Sequence, residues 1–182
     1  MQHFIGTYEC KADEKGRIML PVSLKKQLSD KLNNGFVIKR AVFNKCLELY
    51  PLDQWVSLME KVNKLNRFKK KNNDFIRRFT AGVKLVEIDT TGRLLIPKDL
   101  TNHAKISKEV VVSSVVNILE IWDKTLYENA IDEATTDFAA LAEEVMGDKN
   151  EDDIYKVLNA MLPDLEKTVE SRGAKLLYLS LI

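Results

Sequence analysis

The nine residues from Asp13 to Pro21, "DEKGRIMLP", return 76 positions later as "DTTGRLLIP" from Asp89 to Pro97. Asp13, Gly16, Arg17 and Pro21 match Asp89, Gly92, Arg93 and Pro97, and apolar Ile18 and Leu20 match Leu94 and Ile96. Each copy is followed by a short polar segment of helical character, "VSLKKQLS" and "KDLTNHAK", and then by a β-branched run, "GFVIKRAVF" and "EVVVSSVV". "CLELYPLDQW" from Cys46 then pairs with "ILEIWDKTLY" from Ile118, now offset by 72, which implies a loop four residues shorter in the second copy. Two repeats of about 45 residues therefore fill most of residues 5–127. Each is too small to bury a core alone, so the pair is expected to share one.

Each repeat reads as strand, turn, strand, short helix, strand, strand. In "FIGTYECKAD" the β-favouring Phe4, Ile5, Thr7 and Tyr8 predict a strand, and Gly16 supplies the positive φ that a tight reversal needs before "RIMLP". Pro21 and Pro97 lack an amide hydrogen, so each ends a ladder and opens the following helix. Between the repeats, Pro51 is expected to start a helix whose Trp55, Leu58, Met59, Val62 and Leu65 form one inward apolar face. A second short helix is expected from Asp74 as N-cap to Gly82 as stop, with Phe75, Ile76 and Phe79 buried and Arg77 and Arg78 partly outward.

Composition limits what such a pair does. At 182 residues, 45% hydrophobic and 30% charged, the chain suits one or two ordinary cores. It has no run of eighteen apolar residues, and its N-terminus lacks a basic segment before a long apolar one. Neither a membrane span nor a secretory signal is expected, and the cytoplasm is the default location. Cys10 and Cys46 lack CxxC spacing, and the only histidines, His3 and His103, do not cluster with them, so buried or edge thiols are expected and no metal site. No catalytic Ser/His/Asp set or phosphate loop is visible, which places an enzyme last among the function classes. No cofactor and no small-molecule ligand is predicted.

The net charge of +1 hides a division along the chain. Residues 1–105 hold 21 Lys and Arg against 11 Asp and Glu, whereas residues 106–182 hold 7 against 16. The first region would attract a polyanion that the second repels. The densest basic stretch, Lys61 to Lys84, has nine basic residues against the single acid Asp74.

Together, the doubled D-x-x-G-R-[apolar]-x-[apolar]-P pattern, "CLELYPLDQW" and "IRRFTAG" ahead of the second copy resemble the MraZ family of bacterial regulators. The resemblance covers about residues 3–147. It implies a mainly β fold with flanking helices, in which two SpoVT/AbrB-type swapped-hairpin units form a pseudo-dimeric, double-psi-like barrel within one chain, followed by C-terminal helices. It further implies a DNA-binding repressor of the division and cell wall gene cluster. Such a protein acts from the nucleoid as a ring-like homo-oligomer on short direct repeats of double-stranded DNA in its own promoter. The family's D-x-x-x-R segments fall on Asp13 to Arg17 and Asp89 to Arg93.

The chemistry of those segments points the same way. A short turn places each arginine at the start of a strand, at a hairpin tip, with Arg17 and Arg93 at equivalent ends of one barrel. A guanidinium engages guanine O6 and N7 with two parallel hydrogen bonds, worth about 1–3 kcal/mol of discrimination, which lysine does not match. Asp13 and Asp89, with Gly16 and Gly92, are expected to build the turns, the carboxylates accepting amide hydrogens of their own loop and steering the arginines. Lys15, Lys11 and Lys84 are candidate phosphate contacts, which add affinity without sequence information. Arg77 and Arg78 are candidates for either DNA or a neighbouring subunit. The competing reading of a single turn arginine is a surface residue or a salt-bridge partner of the nearby aspartate.

The expected organisation is a first SpoVT/AbrB-like domain at 5–53, a helical linker at 54–81, a second domain at 82–125, a C-terminal helix at 126–147 and an extension of unknown role at 148–182. In the helix, Leu126, Ala130, Phe138, Leu141, Ala142 and Val145 are available to cover the barrel or a neighbour. In the extension, Ile154, Val157, Leu158, Met161 and Leu162 form a stripe interrupted at Pro163, which suggests a core cover or oligomer clasp. The alternative function is an antitoxin-like protein-interaction module of the same fold, using the acidic C-terminal extension.

Overall fold

A computed structural model describes residues 3–135 and 138–146. The first repeat supplies strands β1 (Thr7–Lys11) and β2 (Arg17–Met19), helix α1 (Val22–Leu28), a 3-10 segment Ser29–Asn34, and strands β3 (Phe36–Arg40) and β4 (Leu47–Pro51). Helices α2 (Leu52–Asn63) and α3 (Lys70–Phe79) lead into the second repeat. There β5 (Lys84–Val86), β6 (Arg93–Leu95), α4 (Lys98–His103), β7 (Glu109–Val115) and β8 (Ile118–Asp123) repeat the order, and α5 (Lys124–Thr135) and α6 (Phe138–Met146) follow.

The pairing explains why neither repeat stands alone. One antiparallel sheet has the order β1-β7-β8-β4-β3-β5, so the first strand of each repeat pairs with the third strand of the other. A second, two-stranded sheet joins β2 to β6. In it Ile18 stands opposite Leu94, its own counterpart in the repeat. At the middle of the large sheet Glu48 stands opposite Glu120, again its counterpart. A pseudo-twofold axis therefore passes through both sheets, and the duplicated sequence closes on itself as a swapped pseudo-dimer.

Alternation along the strands makes the shared core. One face of the large sheet contributes Phe36, Ile38, Leu47, Leu49, Val110, Val112, Leu119 and Ile121, all at most 1% exposed. Ile18 and Leu94 meet it from the small sheet, and Leu24 and Leu100 from α1 and α4, all four fully buried. Burial at roughly 25 cal/mol per Å² makes this cluster the main source of stability. The other face of the large sheet is partly polar: Lys39 is 1% exposed, donates to Glu48 at 2.8 Å, and lies 4.6 Å from the centroid of the Phe79 ring.

The helix expected after Pro51 forms, with Trp55, Leu58, Met59 and Val62 on its more buried side; Trp55 meets Tyr50 edge-on at 5.6 Å and stacks on Phe79 at 6.1 Å. The second linker helix differs from expectation. It starts four residues earlier, at Lys70, so Asp74 lies inside it and pairs with Arg77 at 3.7 Å instead of capping. The run "KKNN" contains no breaker, and an Asn66 turn that accepts the Asn72 side-chain amide sets the start. Phe75 is 45% exposed, not buried, because α3 turns that side away from the core.

Cys10 and Cys46 are free and buried, and among the described residues there is no cluster able to hold a metal ion and no helix long and apolar enough to cross a membrane. The chain divides into two compact parts, Met1–Ile131 and Asp132–Ile182. In the first, Leu126, Tyr127 and Ala130 pack on Cys46, Val111 and Trp122. In the second, Phe138, Leu141 and Val145 of α6 are exposed. The apolar stripe expected at Ile154 to Leu162 lies outside the described residues.

Candidate nucleic-acid interface

Each D-x-x-G-R segment folds into the same hydrogen-bonded turn. Gly16 N–H donates to the Asp13 carbonyl at 2.9 Å, and Asp13 Oδ1 accepts the amides of Lys15 at 2.9 Å and Arg17 at 3.0 Å. In the second copy Gly92 N–H donates to the Asp89 carbonyl at 2.8 Å, and Asp89 Oδ1 accepts the amides of Thr91 and Arg93, both at 2.9 Å. The glycines have φ of +77° and +87°, which only glycine adopts without strain after such a turn. In each copy the aspartate accepts the amides of its own turn and the glycine carries the positive φ.

The two turns are then tied together. Ile96 N–H donates to the Gly16 carbonyl at 3.0 Å and Leu20 N–H to the Gly92 carbonyl at 2.9 Å, so each turn is held by the strand of the other repeat. In the β2–β6 register Arg17 faces Leu95 and Met19 faces Arg93. Because side chains alternate, Ile18 and Leu94 point into the core, while Arg17, Met19, Arg93 and Leu95 share the outer face of one two-stranded ribbon. The arginines, expected at equivalent ends of a barrel, are thus diagonal neighbours, about 7–8 Å apart by the geometry of such pairs.

The two copies differ in electrostatics. Arg17 is clasped by Asp13: its Nε donates to Oδ2 at 2.7 Å and a terminal nitrogen lies 2.6 Å from the same oxygen. That contact holds the Asp13 carboxyl below the usual carboxylate range. Asp89 is also held low, first by the Thr91 hydroxyl, which donates to it at 2.6 Å, and then by the Arg93 amide. Arg93 is exposed, and its guanidinium makes no hydrogen bond or ion pair among the described residues. The replacement of Lys15 by Thr91 thus coincides with a free arginine in the second copy and a steered one in the first.

Other expected contacts fall at different places. Lys15 is exposed on the first turn. Lys11, at the end of β1, faces Glu109 across the sheet at 4.0 Å, and Lys84, at the start of β5, is paired with Asp99. Arg77 and Arg78 lie on α3, Arg77 beside Asp74 and Arg78 along a cavity wall. Sequence reading missed Lys25. Its chain crosses the backbone of Gly92 and its Nζ donates to the Thr91 carbonyl at 3.3 Å, which sets a cation against the second turn. The repeat carried a signal: position 25 matches Thr101, and Thr101 Oγ1 lies beside Gly16 in the same way, 3.6 Å from where a Cβ would stand.

The fold and its ribbon define a class: a two-unit, AbrB-like β-barrel with flanking helices, built as a pseudo-dimer within one chain. Comparison with known proteins narrows the class. The family described as "MraZ protein, putative antitoxin-like" matches residues 3–78 and again 79–149. The chain is 65% identical over 153 residues to the transcriptional regulator MraZ of Flavobacterium psychrophilum, covering 84% of this chain and 98% of that one. It is 64% identical over 154 residues to the protein of the same name from Christiangramia forsetii, covering 85% and 99%. The corresponding protein of Cytophaga hutchinsonii is 38% identical over 146 residues, covering 80% and 96%. The chain belongs to the MraZ family.

Proposed function

We propose that this protein is a sequence-specific DNA-binding transcriptional regulator that uses the β2–β6 ribbon as its reading surface. The observation that carries the proposal is the register that sets Arg17 and Arg93 on one exposed face with Met19 and Leu95 between them. A two-stranded ribbon fits the major groove of B-DNA, where arginines distinguish guanine and apolar side chains meet the thymine methyl. Lys15 and Lys25 flank the ribbon as phosphate contacts, while Asp13, Gly16, Asp89 and Gly92 hold the turns. Lys11 and Lys84 join only if they exchange their carboxylate partners for phosphate. The naming of the relatives as transcriptional regulators supports the reading.

The finer proposal is a repressor of the division and cell wall genes, its own promoter included. It works as a ring-like homo-oligomer on short direct repeats, at the nucleoid in the cytoplasm. Several ribbons on one assembly would engage consecutive sites, and avidity would raise a weak single contact by orders of magnitude where the spacing fits. Protection mapping of the DNA upstream of the protein's own gene tests it. Short protected repeats at constant spacing are expected, with the pattern weakened in Arg17→Ala and Arg93→Ala; uniform protection, or none, would refute the reading. Truncation after Gly147 separates the antitoxin-like alternative. Binding that persists while assembly is lost assigns the tail to oligomerisation, whereas an unchanged assembly leaves the tail free for a protein partner.

A further inference from the structure

A cavity of about 930 Å³ opens between α3 and the end of β3, and no residue of the ribbon lines it. Pockets of roughly 300–1,000 Å³ are the size that takes small molecules. Lys70, Lys71, Phe75, Arg78 and Phe79 reach it from one side of α3, and Arg40 from β3. Part of its wall is aromatic: Phe75 and Phe79 stack with centroids 5.5 Å apart, Phe79 is backed by Trp55, and Phe75 keeps 45% of its surface exposed.

The polar part of the wall is cationic. Asp74 is the one carboxylate lining it, and that group is drawn toward Arg77. The side chains of Lys70, Lys71 and Arg78 make no hydrogen bond or ion pair among the described residues. Arg40 Nε is buried with no acceptor, a state that costs free energy until an acceptor reaches the guanidinium. At the rim, partial burial first and then the charges of Arg40 and Lys45 push the His103 pKa down, so this edge already resists a further positive charge. Packing alone gives no reason to gather unpaired cations around an open aromatic wall, because they repel one another.

The geometry points to a binding site for a small anion with a flat apolar body, an aromatic phosphate or carboxylate. Its ring lies on Phe75, and its anionic group meets Arg78, the lysines at the start of α3 and Arg40. Arg78 then has a role distinct from that of Arg77, and the inference stands whether or not the ribbon binds DNA.

Phenyl phosphate is a suitable probe for the full-length chain, titrated by ligand-detected NMR beside inorganic phosphate and benzyl alcohol. Saturable binding is expected, at least about tenfold tighter than either fragment. Phe75→Ala should reduce phenyl phosphate to the level of inorganic phosphate, and Arg78→Gln should weaken both anions. Thermal melts show whether each variant is folded, and the two act through different groups, so loss of one leaves the other informative. The inference is overturned if phenyl phosphate does not saturate, if it binds no tighter than inorganic phosphate, or if neither folded variant changes it. Displacement of the probe by duplex DNA also overturns it, since the cavity would then belong to the nucleic-acid track.

Discussion

The two arginines come from equivalent residues in different settings, and the difference has consequences. On the proposed reading Arg93 breaks no contact to meet a base, whereas Arg17 is held by Asp13 in one orientation and would either present its remaining edge or exchange the carboxylate for DNA. Alanine at either position should cost about 1–3 kcal/mol of binding to the specific site and relax preference at one base. The turn glycines follow a different logic. At Gly16 a Cβ would stand 3.1 Å from the Ile96 carbonyl oxygen, on a backbone with φ of +77°. Gly16→Ala should therefore destabilise the fold by about 1–2 kcal/mol, seen as a lower urea midpoint with an unchanged slope. The role of glycine was legible in "DEKGR" because positive φ is a local demand. Pairing with Asp13 was foreseen as the competing reading for one arginine, but its restriction to Arg17 was not, because it depends on side-chain orientation within each turn.

At the scale of elements, the sheet hides a polar layer that the repeat pattern did not advertise. Lys39 and Glu48 are buried to 1% and 13% exposure, and Tyr50 donates to Glu48 at 2.7 Å. Removing the cation by Lys39→Met leaves a buried carboxylate unbalanced and should cost about 3–5 kcal/mol in denaturant unfolding. Across the axis, burial raises the Glu120 carboxyl above the usual range, the nearby Glu48 charge adds to it, and the Trp122 hydrogen bond partly offsets it. The folded chain thus holds this proton more tightly than the unfolded chain. Its contribution is full below the ordinary glutamate pKa and is lost as pH rises through the raised one. Glu120→Gln should accordingly raise the melting temperature at neutral pH, with the gain fading on acidification. Strands, short helices and a core shared by the two repeats were readable from alternation and the 76-residue echo, whereas the swapped pairing was implied only by the family resemblance. The start of α3 was not, since Asp74 resembles a cap and only the Asn66 turn places the true beginning.

For the whole molecule, duplication explains more than the core. It places two turns, two helices and two arginines around one axis, so that a single chain presents what would otherwise need two. The basic first part of the sequence holds the ribbon, and the net negative charge of the remainder lies mostly in residues 106–147, consistent with a molecule that meets a polyanion through one part only. Binding should weaken steeply with salt, by roughly 0.9 in the logarithmic slope for each phosphate neutralised. The proximity of Arg17 to Arg93 was the part of the site least legible beforehand, because it comes from β2 pairing with β6 and not from any local motif.

The most direct measurement is the ratio of affinities for the duplex upstream of the protein's own gene and for a scrambled duplex, at one salt concentration, in the Arg17→Ala/Arg93→Ala double variant. The account predicts that the ratio collapses toward one while affinity for the scrambled duplex falls only by the modest loss of two charges. A ratio equal to that of the unaltered protein would contradict it and move sequence reading away from the ribbon.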